Sequence, residues 1–181
     1  MRRAVRRIAA LVFFAAIGLA GFIAYERYFA PPVTPPPLAP LTGQIDRILI
    51  EKSARRLTVY REGEALRTYR VALGFAPQGD KDREGDGKTP EGTFRIDRRN
   101  PSSAFHLSLG LDYPHPEDRA RAAAAGYSPG GDIFIHGQPN GFGAVATLRY
   151  DWTEGCIAVS DAEIEELWRI TPIGTEVEIR P

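Results

Sequence analysis

Two residues of this 181-residue chain, His136 and Cys156, have side chains suited to acyl chemistry. Cys156 is the only cysteine, so no intramolecular disulfide forms. A lone thiol is either an inert core residue or a nucleophile. Gly155 directly precedes it. A glycine there lets the backbone approach a ligand and lets successive N–H groups converge on one point. Converging donors of that kind stabilise an oxyanion in acyl transfer. A histidine brought alongside lowers the thiol pKa or serves as base. His136 closes the apolar run Asp132 to His136 and precedes the turn-rich Gly137-Gln138-Pro139-Asn140-Gly141.

Other groupings of polar residues carry less. Asp80, Asp82, Glu84, Gly85 and Glu91 match five positions of a calcium loop. Lys88 and Pro90 interrupt that match, and no flanking helices are readable, so a solvated polar loop is the expectation. Gly87-Lys88-Thr89 has the end of a phosphate loop, but Asp82 stands where its first glycine belongs. His106 and His115 have no partner at helical spacing and read as structural or surface residues.

The stretch from His136 through sixteen residues to Thr153-Glu154-Gly155-Cys156 resembles the signature of the L,D-transpeptidases, the YkuD-type catalytic domain. Asp86 to Phe94 (DGKTPEGTF), Tyr113-Pro114 and Gly130 to Gly137 (GGDIFIHG) also resemble family segments, so the likeness covers most of residues 45–181. It implies that Cys156 attacks the carbonyl of the third residue of a peptidoglycan stem peptide and releases D-Ala. It also implies that His136 handles the thiol proton and that the Gly137 carbonyl orients the imidazole. The N–H groups of Gly155 and Cys156, with Glu154, would hold the oxyanion, and Thr153 would fill the motif's hydroxyl position. Transfer to an amine gives a 3→3 cross-link; transfer to water gives carboxypeptidase or endopeptidase activity, with wall-attached proteins among the partners. Tyr113 in a lid segment, Trp152 and Arg149 are the candidate substrate contacts. No metal or organic cofactor is implied, and carbapenems are expected to acylate Cys156.

Two positions depart from the pattern. Glu154 stands where the motif has His, and a carboxylate beside Cys156 raises a thiol pKa. Ala158 stands two after the cysteine, where Arg or Asn is usual. These departures keep a non-catalytic peptidoglycan-binding module as the reading of another class.

Short alternating runs supply the elements that must position the pair. Residues 45–51, 57–60, 65–73, 92–96, 104–111, 132–136, 156–159 and 176–179 read as strands. Residues 116–125 and 160–170 read as short helices, the second opened by the capping box Ser160-x-x-Glu163 with Ile164, Leu167 and Trp168 on one face. The fold class is α+β, mainly β: a sandwich or barrel-like domain with short helices.

Composition bounds the rest. Residues 1–43 hold five Arg and one Glu, whereas residues 44–181 hold 18 basic and 22 acidic side chains. A mildly acidic domain argues against nucleic acid as partner. Arg2, Arg3, Arg6 and Arg7 precede an uncharged run, Ile8 to Tyr25, long enough as a helix to rise roughly 27 Å. Residues 1–30 therefore read as a signal anchor, favoured over a cleaved signal peptide, holding the chain in the inner membrane with the domain in the periplasm. Residues 31–43 are a proline-rich linker of extended polyproline character, and residues 44–181 form the catalytic domain.

Overall fold

The computed structural model describes residues 14–22, 39–143 and 145–181. Residues 14–22 are helical (α1). The expected span, 8–25, extends past them at both ends, outside the described residues, as does most of the linker. Among the described residues no helix is long and apolar enough to cross a membrane.

The remainder, Pro40–Pro181, is one compact unit. Its ordered part starts ahead of Gln44, because the Leu41 N–H bonds the Glu166 carboxylate at 2.9 Å. Its strands are β1 (Arg47–Glu51), β2 (Arg56–Arg61), β3 (Glu64–Arg70), β4 (Gly92–Ser103), β5 (His106–Leu111), β6 (Phe134–His136), β7 (Ile157–Ala158) and β8 (Glu176–Arg180). The helices are α2 (Pro116–Ala125) and α3 (Asp161–Ile170). The sheet order is β3-β2-β1-β8-β4-β5-β6-β7. Most neighbours run antiparallel; β1 with β8 and β6 with β7 are parallel.

Alternation builds the interior. Ile48 and Ile50 on β1, Leu57 and Val59 on β2, and Val177 and Ile179 on β8 all point into one core with Ile135, Ile157, Ile164 and Leu167. Removing such side chains from water is the dominant favourable contribution to folding.

β4 runs to Ser103, well past the expected end at Ile96. Its first half pairs with β8 and its second half with β5. The polar run Asp97 to Asn100 hid that second half, because its side chains reach solvent while its backbone stays in the ladder. The segment expected as one strand, 65–73, divides instead. β3 ends at Arg70, and Ala72 crosses to exchange two backbone bonds with Ala158, at 2.9 and 2.8 Å. The two ends of the strand order thus touch through one bridge, and the mixed eight-stranded sheet wraps the core.

Helix α3 packs on β5 and β6. Ser160 caps it reciprocally with Glu163, as its sequence requires. Glu166 ties its far face to β3, accepting from Arg67 (2.6 Å) and the Tyr69 hydroxyl (2.8 Å).

Candidate active site

Strand β6 ends at His136 and the parallel strand β7 begins just after Cys156, so adjacent strand ends bring the two side chains to one place. Both line a cavity of about 550 Å³ with Phe105, Trp152, Thr153, Glu154 and Lys81. Both also line a second cavity of about 300 Å³, with Asn100, Ser103, Ser108 and Phe134. Asp132 and Phe105 border both. The thiol therefore lies at a junction between two cavities.

The His136 ring is fixed on every side. Its Nδ1 lies 2.7 Å from the Gly137 carbonyl oxygen. A carbonyl only accepts, so Nδ1 carries the proton and Nε2 keeps its lone pair. Phe105 stacks on the ring at 4.6 Å between centroids, and Trp152 meets it edge-on at 5.7 Å. Burial among these rings drives the imidazole pKa down to about 4, against the opposing pull of the Gly137 bond. Gly137 has no room for a side chain: a Cβ would lie 2.7 Å from an Asp161 carboxylate oxygen.

Cys156 is partly exposed, and its Sγ donates to the Asp132 carbonyl at 3.5 Å. Burial pushes its pKa up to about 11. The Asp132 and Glu154 carboxylates add to the rise, while the Phe134 N–H and the Lys81 charge oppose it. At neutral pH the resting pair is thus a neutral thiol and a neutral imidazole. The histidine does not lower the thiol pKa here as a charged neighbour would; its Nε2 keeps the lone pair that a base needs.

The segment before Cys156 is anchored at both ends. Asp151 accepts from Arg55 Nη2 at 2.6 Å and from the Leu73 N–H at 2.9 Å. The Thr153 hydroxyl donates to the Cys156 carbonyl (2.7 Å) and accepts from the Gly155 N–H (3.2 Å). The Gly155 N–H, expected as an oxyanion donor, is thus turned into the loop. Gly155 is needed for another reason. It has φ +132°, and a Cβ would lie 2.6 Å from the Lys88 carbonyl. What approaches it closely is segment 78–91 of the chain itself.

That segment is the polar loop expected, with Gly79, Asp80, Arg83, Glu84 and Gly85 exposed, but Lys81 and Thr89 are buried in it and Lys52 is buried against it. The carboxylates that matched a calcium loop are engaged elsewhere: Asp80 accepts the Glu91 N–H, Asp82 the Tyr127 hydroxyl, and Glu91 the Lys52 ammonium, each at 2.8 Å. Its inner face lines the larger cavity through Lys81, Glu84 and Gly85.

Three further expectations change. Tyr113 does not wall the groove: it is buried, its hydroxyl bonds the Pro129 carbonyl (2.9 Å), and it backs the 130–132 segment that does. Arg149 is exposed and lines neither cavity, while Asp151 two residues on is held by Arg55; the cation lining the larger cavity is Lys81. Ala158 is buried in the sheet, bridged to Ala72 and paired with His136, and lines neither cavity. Trp152 and Glu154 do line the cavity, Glu154 with its side chain exposed. His115 caps α2 and His106 pairs with Glu165 at 2.9 Å, both away from the site.

Phe105, Asp132 and Lys81 went unread in the sequence. Phe105 sits on the β4–β5 turn, clamped by Asn140, which accepts the His106 N–H at 2.8 Å and donates to the Ser103 carbonyl at 3.0 Å. That contact, the pairing of β5 with β6 and the Gly137 N–H bond to the Phe105 carbonyl (3.0 Å) bring Phe105 to His136.

A family model described as the L,D-transpeptidase catalytic domain, YkuD, matches residues 45–179. A protein of Escherichia coli strain K12, named "Putative L,D-transpeptidase YafK", is 27% identical over 135 residues, covering 71% of this chain and 48% of its own length. Among solved structures, the helical cell shape determining protein Pgp2 of Campylobacter jejuni is 26% identical with a TM-score of 0.59, over 76% of this chain and 48% of that one. Bd1075 of Bdellovibrio bacteriovorus shares the fold, with a TM-score of 0.54 and 23% identity over 76% of this chain and 48% of its own. The chain spans about half the length of the curated relatives it matches.

Proposed function

Because the chain belongs to the L,D-transpeptidase (YkuD) catalytic-domain family, we propose that it is a peptidoglycan L,D-transpeptidase forming 3→3 cross-links through a Cys156 thioester. The observation that carries this is the position of Cys156 and His136 where two cavities meet. Transfer between two peptides needs a place for each beside one nucleophile; hydrolysis needs only one. The larger cavity takes the acyl donor and the smaller takes the acceptor, which attacks as the neutral amine.

In this reading the donor carbonyl settles over Sγ. The sulfur–carbon bond forms as the thiol proton passes to His136 Nε2. Because thiol and imidazole rest neutral, proton transfer accompanies attack and no standing thiolate is required. The Cys156 and Glu154 N–H groups are the proposed oxyanion donors, since Thr153 holds that of Gly155. The tetrahedral species collapses, the carbon–nitrogen bond to D-Ala breaks, and the imidazolium returns the proton to the leaving amine. The acceptor amine then attacks the thioester, His136 takes its proton, and the thiol is restored. Gly137, Phe105 and Trp152 hold the imidazole in its one working tautomer.

The domain is further proposed to act in the cell envelope, tethered by residues 8–25 and extended on the proline-rich linker. A part in cell shape, the role that the name of Pgp2 gives to that protein, is proposed as the consequence of remodelling stem peptides.

The test is mass spectrometry of disaccharide-tetrapeptide muropeptides incubated with the protein. A 3→3 dimer with loss of D-Ala is expected. Tripeptide alone would replace transfer by hydrolysis and turn attention to wall-attached proteins as substrates. Unchanged muropeptide with Cys156 still alkylatable would favour the binding module.

A further inference from the structure

The mechanism makes no use of Lys81, although it lines the larger cavity with Cys156. Its side chain is only 3% exposed. Lysine is almost never buried without a partner, and Asp86 at 2.8 Å supplies one. That pairing explains how the charge tolerates burial, but not why it faces a cavity. Asp86 does not depend on it alone, since it also accepts the N–H groups of Asp82 (2.8 Å), Lys88 (3.0 Å) and Arg83 (3.1 Å).

An ammonium has three donors and no acceptor. Asp86 takes one and the Arg83 carbonyl, at 3.2 Å, a second. The lysine stem passes close to Gly130, where a Cβ would lie 3.5 Å from Cε, so Gly130 and Gly131 leave the approach open. Lys81 is the one Lys or Arg among the described residues lining this cavity; the charged residues around it are Glu84, Asp132 and Glu154. Asp132 is paired with Arg98 at 3.0 Å and the Glu84 and Glu154 side chains are exposed to solvent, so the buried Lys81 ammonium is the cation that a carboxylate entering the cavity meets.

We propose that Lys81 is a specificity-determining residue whose remaining N–H binds a carboxylate of the stem peptide in the larger cavity and so sets the scissile carbonyl over Cys156. The proposal rests on the stem-peptide reading above. Two carboxylates share this chemistry: that on the side chain of a diamino-acid third residue, and the C-terminal carboxylate of the departing D-Ala.

The experiment is steady-state kinetics of the full chain on three tetrapeptides: unmodified, amidated at the third-residue side chain, and amidated at the C-terminus. In the wild type, one amidation is expected to raise KM by about tenfold to a hundredfold, the worth of a charge-assisted hydrogen bond. Lys81→Met should raise KM for the unmodified peptide by a similar factor, with a smaller change in kcat. The same amidation should then have no further effect on that variant. The sensitive amidation identifies the carboxylate. A wild-type KM in Lys81→Met, or an amidation effect that persists there in full, overturns the proposal while wild-type turnover leaves the enzyme reading standing. No turnover of any peptide by the wild type overturns both. If Lys81→Met does not fold, the wild-type series decides, together with Lys81→Arg, which keeps the charge beside Asp86 and should keep the amidation effect. Equal KM for all three peptides overturns the proposal.

Discussion

At Cys156 and His136, the burial that shields the pair also settles its resting protonation. Both groups are pushed toward their neutral forms, the thiol up to about 11 and the imidazole down to about 4. Alkylation of Cys156 by iodoacetamide should therefore climb through pH 9 toward a midpoint near 11, without a plateau between pH 5 and 9. A plateau reached by about pH 6 would show a thiolate–imidazolium pair and contradict this account. His136→Ala should lower kcat/KM by about a hundredfold to ten-thousandfold, the usual contribution of a general base, with circular dichroism unchanged. The residue types and spacing of this pair were legible in the sequence. The upward push of Glu154 on the thiol was legible as well; that burial is the larger cause for both groups was not, because it depends on how distant segments pack around them.

Strands and helices with strong local signals appear close to where the sequence puts them, α2 and the Ser160 cap of α3 among them. What local patterning missed depends on distant partners: the second half of β4, the crossing of Ala72 to β7, and the burial of Lys81 and Thr89 in segment 78–91. Gly74, Gly87 and Gly155 mark where that segment packs against its neighbours. A Cβ on Gly74 would lie 2.1 Å from the Gly87 carbonyl oxygen, and one on Gly155 2.6 Å from that of Lys88. Gly155→Ala should destabilise the domain by at least about 2 kcal/mol, from close contact and positive φ together. Thermal melting within about a degree of the wild type would refute that packing argument. The same segment carries an acid-sensitive tie. Burial disfavours the Asp86 charge, but bonds from Lys81 and three backbone N–H groups outweigh it and hold its pKa down to about 2. The contribution is therefore complete above the ordinary carboxylate range and fades as pH falls from about 4 to 2. Asp86→Asn should melt well below the wild type at pH 6, and the gap should narrow over that acid window. A gap independent of pH would assign the effect to shape rather than charge.

At the scale of the whole molecule, a basic apolar amino terminus and a proline-rich linker precede a mildly acidic domain of the L,D-transpeptidase family. The proposed tether predicts that the full chain stays with membranes through an alkaline carbonate wash, while residues 40–181 are released. Release of both would remove the anchor from the account. The fold class was legible because alternation, turns and caps are local. The bridge that joins the two ends of the sheet, and the two cavities that meet at Cys156, follow from contacts no single segment encodes. The central claim is that Cys156 forms a covalent thioester with a stem peptide. Its most direct test is the intact mass of the wild type and of Cys156→Ala, quenched in acid after brief mixing with a tetrapeptide donor. The account predicts a wild-type adduct equal to the donor less D-Ala, lost on treatment with hydroxylamine and absent from Cys156→Ala. Turnover of the tetrapeptide by Cys156→Ala at the wild-type rate, with no adduct on either protein, would contradict it.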